Sequence, residues 1–76
     1  MDNRNVAVEF DRNESLVLFE FLSRLFEKEH SELFEHESEI NVLSKILGVF
    51  ETRLSEPFSS NYSELLANAR NSITFP

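Results

Sequence analysis

The sequence predicts a mostly α-helical fold, in which a short N-terminal β-strand is followed by a helical hairpin and a short C-terminal helix. Apolar residues recur at helical spacing in three segments, capping residues precede the first and third of them, and Pro57 separates the second from the third. A chain of 76 residues has room for one domain. We therefore expect residues 1–76 to form a single small helical domain with three helices.

Residues 6–10 alternate in the manner of a β-strand. Val6, Val8 and Phe10 share one face, while Ala7 and Glu9 share the other. No second convincing strand follows, so the peptide groups of this strand must pair with a second copy of the chain, with residues 73–75, or with nothing. An antiparallel ribbon across a two-fold axis would satisfy them.

Residues 11–28 form the most apolar of the predicted helices. Asp11 and Glu14 have the spacing of a capping box, which marks the start of this helix. Its apolar arc covers roughly 200°, whereas a helix packed on one side needs about 100°. We therefore expect two sets of contacts, the second of them in another chain, with burial within this chain as the alternative. Val17 and Phe21 lie at the charged edge of the arc, as at the rim of a self-association interface.

A second helix is predicted over about residues 37–54, antiparallel to the first, because its apolar stripe of about 120° suits one partner. Gly48 lies inside it, either because a neighbouring group approaches closely or as a tolerated surface glycine. Pro57 ends this helix, and Phe58 is expected to return to the core. A short third helix then begins at Asn61, which has a glutamate three residues later.

The charge of the chain is strongly acidic and unevenly distributed. Fourteen acidic residues against seven basic ones give a formal net charge of −7, which opposes binding to the phosphate backbone of nucleic acid. Six of the fourteen lie within residues 27–39, where Lys28 is the one basic residue. We expect this acidic pole to bind a basic protein partner through Glu32, Glu35 and Glu37.

The sequence does not indicate a disulfide-bonded, secreted or membrane-spanning protein. The chain contains no cysteine, and its N-terminus does not resemble a signal peptide. The longest unbroken apolar run, residues 16–19, is too short to span a membrane. We therefore expect a cytoplasmic protein without a membrane partner.

His30 and His36 suggest an alternative, a metal- or small-ligand-binding domain, because they lie among glutamates. Their separation does not match the i, i+3 or i, i+4 spacing that places two ligands on one helix face, so no metal ligand is assigned. A single glycine and no Gly-x-Ser-x-Gly motif leave no phosphate loop or nucleophile elbow. No catalytic or cofactor-binding residue is therefore assigned, and a hydrolase without a recognisable motif is the third interpretation.

Two segments carry a resemblance to a known group of proteins. They are Leu-Val-Leu-Phe-Glu-Phe-Leu at residues 16–22 and Glu-Pro-Phe-Ser-Ser-Asn-Tyr-Ser-Glu-Leu-Leu-Ala-Asn-Ala-Arg at residues 56–70. The chain resembles a group of small uncharacterised bacterial helical proteins with an LVLFE-type first helix and an EPF…Y..LL..AR segment. The connection at residues 27–39 does not match. The resemblance implies a bacterial origin and no particular function or site.

These observations predict a non-enzymatic, acidic bacterial protein that acts through protein–protein interaction as a homodimer. Adaptors, antitoxins and immunity proteins act in this way, by electrostatic complementarity with a partner. The predicted interface consists of an apolar and an acidic group of residues: Val6, Val8, Val17, Phe21, Glu32, Glu35 and Glu37.

Overall fold

The computed structural model describes residues 4–28 and 31–73. They form three α-helices, α1 (Arg12–Glu27), α2 (Glu37–Arg53) and α3 (Tyr62–Ile73), with short 3-10 helices at Ser31–Leu33 and Glu56–Phe58. The prediction of a mostly helical chain with three helices is confirmed.

The predicted strand at residues 6–10 is not formed within the described part of the chain. Residues 5–10 have no regular secondary structure, all are exposed, and no backbone–backbone hydrogen bond joins them to other described residues. Ile73 belongs to α3, and residues 74 and 75 of the suggested partner segment lie outside the described residues. Alternation alone does not make a strand, because its peptide groups need a second strand as partner.

The start of α1 is the capping box expected from the sequence. An Asp11 carboxylate oxygen accepts the Glu14 backbone N–H at 2.8 Å, and a Glu14 carboxylate oxygen accepts the Asp11 backbone N–H at 2.9 Å. Two amide groups that the helix itself leaves unpaired are satisfied in this way. The helix ends at Glu27, where Lys28 adopts an extended backbone conformation.

The core lies along α1, which packs against both α2 and α3. Its central members are Leu16 and Leu22 of α1, Phe50 and Leu54 from the end of α2, and Leu66 and Ala69 of α3. The wide apolar arc of α1 therefore does have two sets of contacts, as expected. Both are provided by the same chain, because α3 covers part of the arc that the hairpin leaves open.

The end of α2 lies beside the start of α1, as in the predicted hairpin. The rings of Phe10 and Phe50 meet edge to face, with centroids 6.0 Å apart and an interplanar angle of 67°. Gly48 lies in the middle of α2, and a Cβ atom added there would have no neighbour within 4 Å. Close approach of another group therefore does not explain this glycine.

The turn after α2 differs from its prediction in one side chain. Phe58 is 86% exposed and does not return to the core. Leu54 fills the core position at the end of α2, with 6% exposure. The turn is closed by the Phe58 N–H, which donates to the Ser55 carbonyl at 3.0 Å, and Glu56 is the residue of this turn that contacts α1.

Candidate interaction surfaces

Apolar side chains are exposed at the start of the chain and on one edge of α1. We call them the N-terminal apolar surface: Val6, Val8, Phe10, Val17 and Phe21. Val6 is 88% exposed, Val8 67%, Phe21 49% and Phe10 45%, while Val17 is half-buried. Contiguous apolar side chains left in water are typical of interaction sites.

Part of this surface lines an open groove of about 470 Å³ between α1 and the end of α3. Its walls and rim are formed by Phe10, Glu14, Val17, Leu18, Phe21, Arg24, Arg70 and Ile73. The Arg24 guanidinium lies over the Phe21 ring, 6.0 Å from its centroid, where a cation is attracted by the ring face. The predicted pair Val17 and Phe21 therefore lies in one concave site bordered by charge.

A second open depression, of about 690 Å³, lies on the other side of Phe10, between the N-terminal segment and the end of α2. Val8 and Phe10 line it, together with Val49 and Phe50 of α2. Phe10 thus joins the predicted interface residue Val8 to the α1 pair. The alternating pattern of residues 6–10 predicted that Phe10 shares a face with Val8. No pattern in the sequence predicted that Phe10 would contact α2.

The acidic residues predicted to contact a partner lie around the start of α2. Glu32 belongs to the 3-10 helix Ser31–Leu33, Glu35 to the connection, and Glu37 to the first turn of α2, and all three are exposed. The Glu35 backbone N–H donates to the Glu39 carboxylate at 2.8 Å, which holds the connection against α2.

His36 caps α2. Its Nδ1 accepts the Ser38 backbone N–H at 3.0 Å and lies 2.9 Å from the Ser38 hydroxyl oxygen. His30 lies outside the described residues. In the described part of the chain, no group of three His, Cys, Asp or Glu side chains is arranged to hold a metal ion.

Tyr62 connects α3 to α1 through a partly buried hydrogen bond that sequence reasoning missed. Its hydroxyl donates to a Glu20 carboxylate oxygen at 3.0 Å. Burial, followed by the hydrogen bond and the negative charge of Glu20, raises the pKa of Tyr62 to about 12. No local pattern indicates this pair, because the two residues are 42 positions apart.

A second long-range polar contact joins α1 to the turn after α2. Arg12 Nε donates to a Glu56 carboxylate oxygen at 2.6 Å, and the Glu56 side chain is only 16% exposed. Burial alone would raise the pKa of Glu56, but hydrogen bonds from its own backbone N–H and from Arg12 outweigh it, so the pKa is lowered. The interaction fixes the turn on the first turn of α1.

No family model, curated protein or solved structure matches this chain. No helix in the described residues is long and apolar enough to cross a membrane. The function of the chain is therefore inferred from its own geometry and charge.

Proposed function

We propose that this chain is a non-enzymatic acidic protein that acts through protein–protein contacts and forms a homodimer through the N-terminal apolar surface. The observation that carries the proposal is the exposure of Val6, Val8, Phe10 and Phe21. Water contact at these side chains is unfavourable by about 25 cal/mol for each Å² of apolar area. A second copy would remove this area from water on both chains, because a two-fold interface uses the same residues twice.

The backbone of the N-terminal segment supports the same proposal. Residues 5–10 are exposed and have no backbone–backbone hydrogen bond to the rest of the described chain. In the proposed dimer, their peptide groups would pair with the second chain, as at the edge of a sheet. A small domain also gains most from association, because its own core is limited.

The acidic surface, which consists of Glu32, Glu35 and Glu37, is the proposed site for a basic protein partner. All three residues are exposed near the start of α2, on a chain of net charge −7. Such a surface accelerates association with a basic partner and disfavours acidic ones. A role as an adaptor, antitoxin or immunity-like protein in the bacterial cytoplasm belongs to this proposal.

The solution mass tests the homodimer. Light scattering should give twice the 8.9 kDa chain mass for the wild type. Phe21→Glu should give the monomer mass with unchanged helical circular dichroism, because it places a charge in the interface. Phe58→Glu is the matched control, since it makes the same change at a residue that is 86% exposed outside this surface. A monomeric wild type would contradict the proposal.

A further inference from the structure

The start of α2 depends on a hydrogen-bond acceptor that a proton can remove. His36 is the N-cap of this helix, with an extended backbone conformation. Its Nδ1 accepts the Ser38 backbone N–H at 3.0 Å, and its carbonyl accepts the Glu39 backbone N–H at 3.1 Å. His36 therefore supplies acceptors for two amide groups in the first turn of α2, and one of these acceptors is a ring nitrogen.

The ring nitrogen can act as this acceptor only in the neutral form of the side chain. A neutral imidazole has one nitrogen with a free lone pair, whereas both nitrogens of the charged imidazolium carry protons and donate. A proton on Nδ1 would therefore face the Ser38 backbone N–H, donor against donor. The Ser38 hydroxyl oxygen lies 2.9 Å from Nδ1, so the protonated ring can donate there instead. The Ser38 amide then loses its acceptor.

The start of α1 differs in this respect. It is capped by the carboxylate of Asp11, which accepts the Glu14 backbone N–H at 2.8 Å and is an acceptor whenever it is ionised. A carboxylate also brings negative charge to the positive end of a helix, whereas an imidazolium brings positive charge there, which is unfavourable. Protonation of His36 therefore weakens the start of α2 in two ways, by the lost hydrogen bond and by charge.

The charged groups around His36 do not replace the missing acceptor. Besides His36, five of the six described charged residues within positions 27–39 are acidic, and the set is Glu27, Lys28, Glu32, Glu35, Glu37 and Glu39. Attraction to these carboxylates offsets part of the cost of a cation beside the helix N-terminus. The structure nevertheless gives the Ser38 amide to the histidine ring and not to any of them.

We propose that His36 is a pH-sensitive cap of α2, whose neutral ring holds the first turn of the helix and whose protonated ring releases it. The acidic surface changes with this turn. Glu37 belongs to the turn, and Glu35 is held to it by the hydrogen bond from its backbone N–H to the Glu39 carboxylate. The inference concerns the conformation of the chain itself, so it goes beyond the proposed function and requires no partner.

NMR spectroscopy of the full chain between about pH 8 and about pH 5.5 tests this cap. Histidine changes charge in this range, whereas glutamate stays ionised. The nitrogen-15 shift of His36 Nδ1 reports ring protonation, and the Ser38 amide and the Cα shifts of residues 37–39 report the first turn. The turn should open with the same midpoint as the ring titration. Its equilibrium should shift towards the open form by about 2-fold to about 30-fold, the effect of one N-cap side chain.

Three variants serve as controls. His36→Asn supplies a capping acceptor that does not titrate, so its first turn should stay formed across the range. His36→Ala supplies no acceptor, so its first turn should be open to the same extent at both ends of the range. His30→Asn removes the other histidine of the chain and should leave the response of the Ser38 amide unchanged.

Four results would overturn the proposal. The His36 ring could stay neutral throughout the range, or it could titrate while the Ser38 amide and the first turn do not change. The pH response could persist in His36→Asn, or it could disappear in His30→Asn. None of these results depends on the mass of the assembly or on a basic partner, so the failure of this inference is distinguishable from the failure of the proposed function.

Discussion

Tyr62 shows how a single side chain fixes the position of a helix. It presents an aromatic ring to the core cluster and a hydroxyl to Glu20, so burial of the ring and the hydrogen bond favour the same placement of α3 on α1. The hydroxyl donates only while it is protonated. The hydrogen bond to Glu20 is therefore lost when the pH rises through the raised pKa of Tyr62.

Titration of Tyr62 should be displaced in the folded protein. The chain has one tyrosine and no tryptophan, so ultraviolet absorbance of the phenolate reports this residue alone. The pKa of the folded protein should lie at about 12, against about 10 in denaturant. Because the folded-state pKa is the higher one, stability should fall as the pH rises from about 10 to about 12 and then level off. Tyr62→Phe should lack this dependence, and an unshifted titration would contradict the interaction.

Glu56 should give the opposite dependence, at acidic pH. Its folded-state pKa lies below the ordinary value of 4.5, so its contribution is present above about pH 4.5 and is lost as the pH falls through the folded-state pKa. Glu56→Gln should lower the free energy of unfolding by about 1 kcal/mol at neutral pH. That difference should vanish at low pH, where the wild-type carboxyl is also neutral. Urea denaturation of both proteins, with Glu51→Gln as an exposed control, measures it.

At the level of single elements, the starts of the first two helices are explained by residues close to them in the sequence. The capping box of α1 is encoded by residues three positions apart, and its geometry results from unpaired amide groups that exist at every helix start. His36 does the same for α2 through its ring nitrogen, although histidine is not among the preferred capping residues. The starts of α1 and α2 are therefore set by side-chain hydrogen bonds to amide groups two or three residues away.

Gly48 is the weak position of α2, and its replacement by alanine should stabilise the protein. Glycine in a helix interior costs up to about 1 kcal/mol relative to alanine, because the unfolded chain has more conformations to lose. The added Cβ atom would meet no group within 4 Å. Gly48→Ala should therefore raise the free energy of unfolding by about 0.5–1 kcal/mol, as measured by thermal or urea denaturation. A loss of stability would mean that a contact of α2 depends on the bare backbone at this position.

On the scale of the whole molecule, the self-association and the binding of a basic partner proposed above use different residues. The apolar surface involves residues 6–21, whereas the acidic one surrounds the start of α2. Exposed carboxylates act mainly on association rate and choice of partner, and their effect is screened by salt. The two interactions should therefore be separable by mutation.

Charge reversal should remove partner binding without changing the oligomeric state. The triple variant Glu32→Lys, Glu35→Lys and Glu37→Lys should fail to retain basic proteins that the immobilised wild type retains at low salt. A control with Glu51→Lys, Glu64→Lys, Ser59→Lys and Ser60→Lys has the same net charge, places it at exposed positions outside both surfaces, and should retain them. Both variants should keep the wild-type mass by light scattering. Equal retention by the two variants would contradict a role for the acidic surface.

The sequence by itself determined the three helices, the start of α1 and the two sets of contacts around it, because helical periodicity and capping act over a few residues. Tertiary structure decided that α3 covers part of that arc, that Phe58 stays in water and that residues 5–10 have no strand partner in the described chain. It also paired Tyr62 with Glu20 and Arg12 with Glu56. Burial and long-range hydrogen bonds depend on which surfaces meet, and residues 42 or 44 positions apart leave no local pattern of their meeting.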